Sequence, residues 1–195
     1  IAGTTGSGKS VLLSTMLWSL VAATSPEQVQ IVLIDLKNED LIPFAELPHV
    51  TTFAANLLEA EDAIASLHSI KEHRVRSRTR STRIVLVIDE LAELARQREP
   101  MSQLASILAI GRSKAINVIA ATQKPLGAIV GSVAKANFTT RLVGRVMSAD
   151  DARVAAGVSG VGAEYLPGAG AFLRVEGMDE RRFQSYWIPD LETRL

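Results

Sequence analysis

Residues 1–23 read IAGTTGSGKSVLLSTMLWSLVAA, and the stretch from Gly3 to Ser10 decides what kind of fold this is. Gly3, Thr4, Thr5, Gly6, Ser7, Gly8, Lys9 and Ser10 fill every position of the pattern G-x-x-x-x-G-K-[ST]. Glycines let the backbone turn its N–H groups inward around a phosphate, and a helix starting behind them adds the positive end of its dipole. Lys9 is then the group that reaches the β- and γ-phosphates, and the Ser10 hydroxyl ligates Mg²⁺. The bland alternative is an ordinary glycine-rich turn before a helix. Against it stands the full match, followed by Val11–Ala23, where Leu12, Leu13, Met16, Leu17 and Leu20 recur at helical spacing. A phosphate loop also needs a strand to hold it, and here that strand is reduced to Ile1-Ala2. The expectation is a parent with a β-branched run of about five residues just upstream, and a fragment that is unstable without it.

Working outward, VQIVLIDLK (29–37) is a β-branched run too short for an ordinary helix and reads as a buried strand. The run from Leu57 to Arg76 is amphipathic and helical, RIVLVIDE (83–90) is a second buried strand, MSQLASILAIGR (101–112) is a helix and INVIAAT (116–122) a further strand. Alternation of this kind predicts an α/β fold with a largely parallel sheet covered by helices on both faces. Three more strands are predicted at 139–147, 170–176 and 181–188, the last two as an antiparallel hairpin at the sheet edge.

The sequence has 195 residues, 47% hydrophobic and 22% charged, which is long enough for one well-buried domain and not disordered by composition. Twenty-one basic and twenty-one acidic residues cancel, so a nucleic acid would have to be held by a local cluster rather than a global field. The absence of cysteine rules out disulfides and thiolate metal sites and fits a reducing compartment. No apolar run is long enough to span a bilayer, so any membrane connection would lie in regions outside this chain, and a cytoplasmic location is expected.

The second chemical motif is IVLVIDELAEL, where a buried strand ends in Asp89-Glu90. Open α/β sheets bind ligands at the carboxyl ends of their strands. Asp89 would hold the magnesium shell there, and Glu90 would orient and deprotonate the attacking water. An acidic pair after a strand is otherwise a solvated strand end or a helix cap. In AATQKP (120–125), Thr122 and Gln123 would lie beside the γ-phosphate; the alternative is a polar strand terminus before a proline turn. The basic run KEHRVRSRTRSTR (71–83) favours a solvated helix end over a phosphate-binding patch, and His49, His68 and His73 share no metal-ligand spacing.

The segments IAGTTGSGKSVLL, LIDLK, ELPHV, VLVIDELAEL, GRSKAINVIAATQKP and KANFTTRLVGRVMSADDAR, in this order, resemble the FtsK/SpoIIIE family of DNA-pumping motors from Ile1 to about Leu173. The resemblance implies a RecA-like P-loop NTPase domain over residues 1–195 that assembles as a homo-oligomer, a hexameric ring around double-stranded DNA, and uses ATP with Mg²⁺ to move along it. Lys9 and Ser10 match the family's nucleotide-binding positions, Asp89 and Glu90 its acidic motif, and Gln123 its sensor. Arg112 matches an arginine offered to the ATP of the neighbouring subunit, and Arg141 a second arginine near the subunit boundary, with an exposed edge-strand charge as the alternative for Arg141. Lys124, Lys135 and Arg153 match basic positions of pore-facing loops, where they would touch DNA phosphates. Two departures stand out: Ala149, with Asp150 and Asp151 beside it, where a further basic residue is expected, and Ala171 where the family has an aspartate. The ATPase modules of type VII protein secretion systems look similar and are the alternative reading; DNA is favoured by ATQKP and KANFTTR.

Overall fold

The computed structural model describes residues 1–77, 82–123 and 137–188. In chain order the elements are α1 (Lys9–Ala23), β1 (Val29–Ile34), β2 (Val50–Ala54), α2 (Leu57–Ser77), β3 (Arg83–Ile88), α3 (Leu91–Leu94), α4 (Arg98–Ile110), β4 (Ile116–Ala120), β5 (Thr140–Val143), α5 (Ala149–Ala156), β6 (Ala171–Glu176) and β7 (Asp179–Gln184). Their described residues fall into two compact units, one of Ser19–Ala120 and one of Ile1–Trp18 with 121–123 and 137–188.

The Ser19–Ala120 unit holds a four-stranded, all-parallel sheet in the order β2-β1-β3-β4. Its central strands explain the apolar runs. Every residue of β1 but Gln30 is buried, as is every residue of β3 but Arg83, and strands buried on both faces carry no polar alternation. β1 ends three residues before its predicted limit, because the wholly buried Asp35 carboxylate accepts the N–H groups of Asn38, Glu39 and Leu41 at 2.9–3.0 Å and curls the chain into a turn. The sequence reading passes over β2, a short edge strand whose Thr51 and Thr52 are exposed and whose pattern is correspondingly weak.

The basic run after residue 71 needs a correction, since its first cations are not solvated. Lys71 and Arg74 are 1% and 6% exposed. Lys71 Nζ donates to Ser106 Oγ of α4 at 2.6 Å and pairs with Glu72 at the same distance. Arg74 donates to the carbonyls of Lys114 and Thr82 at 2.9 Å and of Ala115 at 3.3 Å, and burial holds its guanidinium below the usual arginine range. A buried cation is tolerated only when its donors are matched in this way. Arg78 and Arg80, in the same run, lie outside the described residues.

The second unit holds a three-stranded antiparallel sheet, β5-β6-β7. The predicted hairpin is β6–β7, closed by Gly177 and Met178 between the paired Glu176 and Asp179, with Gly177 at φ 61°, and stiffened by Phe172 stacked on Phe183 at 5.8 Å. The core of this unit gathers Ala2, Val143, Val146, Leu166, Leu173 and Val175 with Ala152, Ala155 and Ala156 of α5. That helix lies beyond the sequence reading: it is two turns long, with Ser148 as N-cap accepting the Asp151 N–H at 3.1 Å and Gly157 ending it at φ 79°. Asp150 and Asp151, which sequence alone leaves as unwelcome negative charge, occupy its first turn, where they complement the helix dipole.

Replacing Arg74 by Met keeps the apolar stem but leaves the Lys114 and Thr82 carbonyls without their donor, while Ala115 O retains the Ile84 N–H at 2.9 Å, so Arg74→Met is expected to lower unfolding stability by about 2–4 kcal/mol. Urea midpoints of the two proteins measure it; an unchanged midpoint would mean that the three bonds contribute nothing.

Candidate functional site

The phosphate loop is held by a strand stub hydrogen-bonded along both edges. On one edge the Ala2 N–H donates to Leu142 O and the Gly144 N–H to Ala2 O, both at 2.8 Å; on the other the Thr122 N–H donates to Ile1 O at 2.9 Å and the Gly3 N–H to Thr122 O at 3.3 Å. From that platform the loop folds over Ser7, whose side chain is wholly buried. The cradle exists only because Gly3 and Gly144 lack side chains: a Cβ on Gly3 would stand 2.5 Å from Ser7 Oγ, and one on Gly144 would stand 3.0 Å from Ser7 Cβ. Gly6 and Gly8 take φ of 78° and 94°, the left-handed region that glycine enters without strain. A Cβ on Gly8 would lie 2.5 Å from Gly170 N, so the Ala169-Gly170 peptide backs the loop, tied by Ala169 N–H to Gly6 O at 3.0 Å and Gly170 N–H to Ser7 O at 2.8 Å.

These bonds consume carbonyls and leave donors. Among the described residues the N–H groups of Thr5, Gly6 and Gly8 have no acceptor, which is the donor set a phosphate requires. Lys9 opens α1 and is 4% exposed, with Ser10 next to it on the first turn. Thr122, 1% exposed, belongs to the platform itself, and Thr5 Oγ1 lies 3.4 Å from Gln123 Oε1. The strand terminus expected beside the nucleotide is therefore beside the loop. Sequence reasoning missed Arg145, whose carbonyl accepts from the Thr4 N–H at 2.9 Å and from Thr4 Oγ1 at 3.0 Å, and whose side chain is exposed. Only its place four residues after Arg141 in the same run marked it.

In the Ser19–Ala120 unit, Asp89 and Glu90 follow β3 and are 1% and 5% exposed. The Asp89 N–H continues the ladder to Ile34 O at 3.1 Å, and Glu90 is the N-cap residue of α3 without using its carboxylate as a cap. That carboxylate faces Lys37 instead, at 3.7 Å. Lys37 is a second residue that sequence reasoning left without a role; Asp35 places it by folding the turn after β1. Arg112 lies on a short 3₁₀ turn, Gly111–Lys114, that ends at Ala115 in the left-handed region and is gripped by Arg74 through the Lys114 and Ala115 carbonyls. Its side chain is exposed.

Arg141 is half-buried, with its Nε on Phe138 O at 3.3 Å, and a Cβ on Gly157 would overlap its guanidinium. Burial holds it below its ordinary pKa. An exposed edge-strand charge is thus not what this residue is. Arg153 is exposed on α5 and 3.4 Å from Asp150, while Lys124 and Lys135 lie outside the described residues. Among the described residues no three His, Cys, Asp or Glu side chains gather to hold a metal. Also among the described residues, no helix is long and apolar enough to cross a membrane.

Comparison with known proteins agrees with this architecture. Residues 1–80 match the FtsK/SpoIIIE family model. The DNA translocase FtsK of Chlorobaculum tepidum is 34% identical over 89% of this chain and 25% of its own length; the DNA translocase SftA of Bacillus subtilis is 31% identical over 98% and 23%. The chain thus spans about a quarter of the curated relatives it matches. Among solved structures, the cytoplasmic domain of the Thermomonospora curvata type VII secretion ATPase EccC superposes with a TM-score of 0.85 at 24% identity, covering 97% of this chain and 25% of that one. The pCW3 conjugation coupling protein TcpA superposes with a TM-score of 0.83 at 22% identity, covering 99% and 63%. With the fold, the complete phosphate loop and relatives aligned over most of its length, this chain belongs to the FtsK/SpoIIIE family and is an ATPase domain of that family.

Proposed function

We propose that this domain is the ATP-hydrolysing motor of a ring-forming double-stranded DNA translocase. The observation that carries the reading is the phosphate loop itself: all eight motif positions are present, and Thr5, Gly6 and Gly8 keep their N–H groups unclaimed. The substrate class is supported by relatives named DNA translocases at 31–34% identity. In this reading Lys9 binds the β- and γ-phosphates, Ser10 and Asp89 are the Mg²⁺ ligands, Glu90 deprotonates water, and Gln123 senses the γ-phosphate from beside Thr5. The metal supplies charge neutralisation on the phosphates. Arg112 acts on the ATP of a neighbouring subunit, for which its exposure suits it. Arg141, packed on Gly157, serves as a subunit-boundary arginine, and Lys124, Lys135 and Arg153 contact DNA phosphates.

A second reading, an ATPase module of a type VII protein secretion system, is favoured by one observation. The described member of the DNA-contacting set, Arg153, is already paired with Asp150 on a chain of zero net charge. ATP turnover with and without linear duplex DNA separates the two. A clear increase with duplex, steepest at low salt because phosphate contacts release counterions, supports the DNA motor; turnover indifferent to duplex at every salt concentration supports the secretion module.

Lys9→Ala is expected to abolish tight ATP binding, because Lys9 is the cation assigned to the β- and γ-phosphates. Glu90→Gln should instead bind ATP normally and lose at least 10²-fold in turnover, the range for a general base. Calorimetry and phosphate release on both variants test this, and retained turnover in Glu90→Gln would remove that residue from its role.

Arg112→Ala should lower turnover by about 10³–10⁵-fold if it is a finger given in trans. Mixing it with Glu90→Gln should restore part of the activity, because some neighbouring pairs then join an intact site to an intact finger. Mixed rings with no recovery at any ratio would place Arg112 in cis or outside the reaction.

A further inference from the structure

We propose that Tyr186 and Trp187 form a stacking platform for the base of the nucleotide whose phosphates the loop binds, an inference that rests on the nucleotide reading above. Beyond β7 the chain does not drift away. The Ser185 N–H donates to Gly170 O at 2.7 Å, and Thr15 Oγ1 of α1 donates to Tyr186 O at 2.9 Å. Gly170 is the residue whose backbone backs Gly8, so a single residue supports the phosphate loop through its N–H and this tail through its carbonyl. Thr15 stands six residues beyond Lys9, about 9 Å along the helix axis at 1.5 Å per residue, a distance that ribose and base span when the phosphates rest on the helix start. One turn earlier on the same helix face, Val11 is 37% exposed and offers apolar surface.

The two side chains that follow are 83% and 73% exposed, although their backbone is tied down. Large aromatics held in water by an anchored segment forgo a burial that would be favourable, which marks them for a partner. A nucleobase is the partner that the position selects, because it is the apolar, planar part of a ligand already assigned to the adjoining loop. Stacking tolerates any base, since every base has a π-face. The platform therefore adds affinity for nucleoside triphosphates in general and does little to separate ATP from GTP.

Affinities for ATP, GTP and inorganic tripolyphosphate, measured by calorimetry on wild type, on the double variant Tyr186→Ala/Trp187→Ala and on Tyr186→Phe/Trp187→Phe, test this. The double alanine variant should weaken ATP and GTP alike by roughly 5- to 150-fold, the range of base–aromatic stacking, with tripolyphosphate unchanged, and the double phenylalanine variant should stay near wild type. Unchanged ATP affinity in the alanine variant overturns the inference. So does a parallel loss for tripolyphosphate, which would report damage to the loop, or a fall in oligomer mass at constant affinity, which would assign the aromatics to a second copy. If wild type binds neither ATP nor tripolyphosphate, the underlying nucleotide reading fails instead.

Discussion

The unit that carries the phosphate loop depends on the backbone pairing of Ile1 and Ala2. Ile1, Ala2 and Gly3 exchange four backbone hydrogen bonds with Thr122, Leu142 and Gly144, and those bonds fix where the loop begins to turn. The loop is then closed from the other side by the backbone of Ala169 and Gly170. Three stretches far apart in sequence thus enclose Ser7: Gly3 and Gly144 leave room for its side chain, and Gly8 lets the loop backbone meet that of Ala169-Gly170. The chemistry follows from this arrangement. With its carbonyls spent on neighbours and several N–H groups left over, the loop suits an anion and little else.

In the Ser19–Ala120 unit a buried carboxylate has the corresponding role. Asp35 would be costly in the interior were it not satisfied by three backbone donors. Those bonds end β1, shape the turn and put Lys37 at 3.7 Å from Glu90. Arg74 performs a similar service for the turn that bears Arg112, using three carbonyls as its counter-groups. Neither Asp35 nor Arg74 is assigned a part in hydrolysis, yet both decide where assigned residues stand.

How much of this was legible follows from how local each signal is. The phosphate loop and the buried strands β1, β3 and β4 could be read because their cause lies in consecutive residues: a motif, or an unbroken apolar run. β2 and α5 escaped because their residues are ambiguous alone; Val50–Ala54 is half threonine and alanine in character, and α5 is a short alanine-rich helix defined by its caps. Asp150 and Asp151 look like misplaced charge in sequence because the helix start they occupy carries no apolar periodicity to mark it. Sequence alone leaves Lys71 and Arg74 solvated because their acceptors at Ser106, Lys114 and Ala115 lie 35 to 41 residues away in sequence. Arg145 and Lys37 share that difficulty: proximity to the loop or to Glu90 is a tertiary fact. Gln123 is expected beside the γ-phosphate, and its Oε1 lies 3.4 Å from Thr5 Oγ1 of the loop.

The proposed function has ATP turnover by this domain converted into movement along duplex DNA. The most direct measurement is the displacement of a third strand from a triplex placed at one end of a linear duplex, followed over time. The account predicts displacement that needs hydrolysable ATP, takes longer as the duplex between loading site and triplex is lengthened, and is absent with Glu90→Gln. ATP hydrolysis at full rate with the third strand left in place would contradict it.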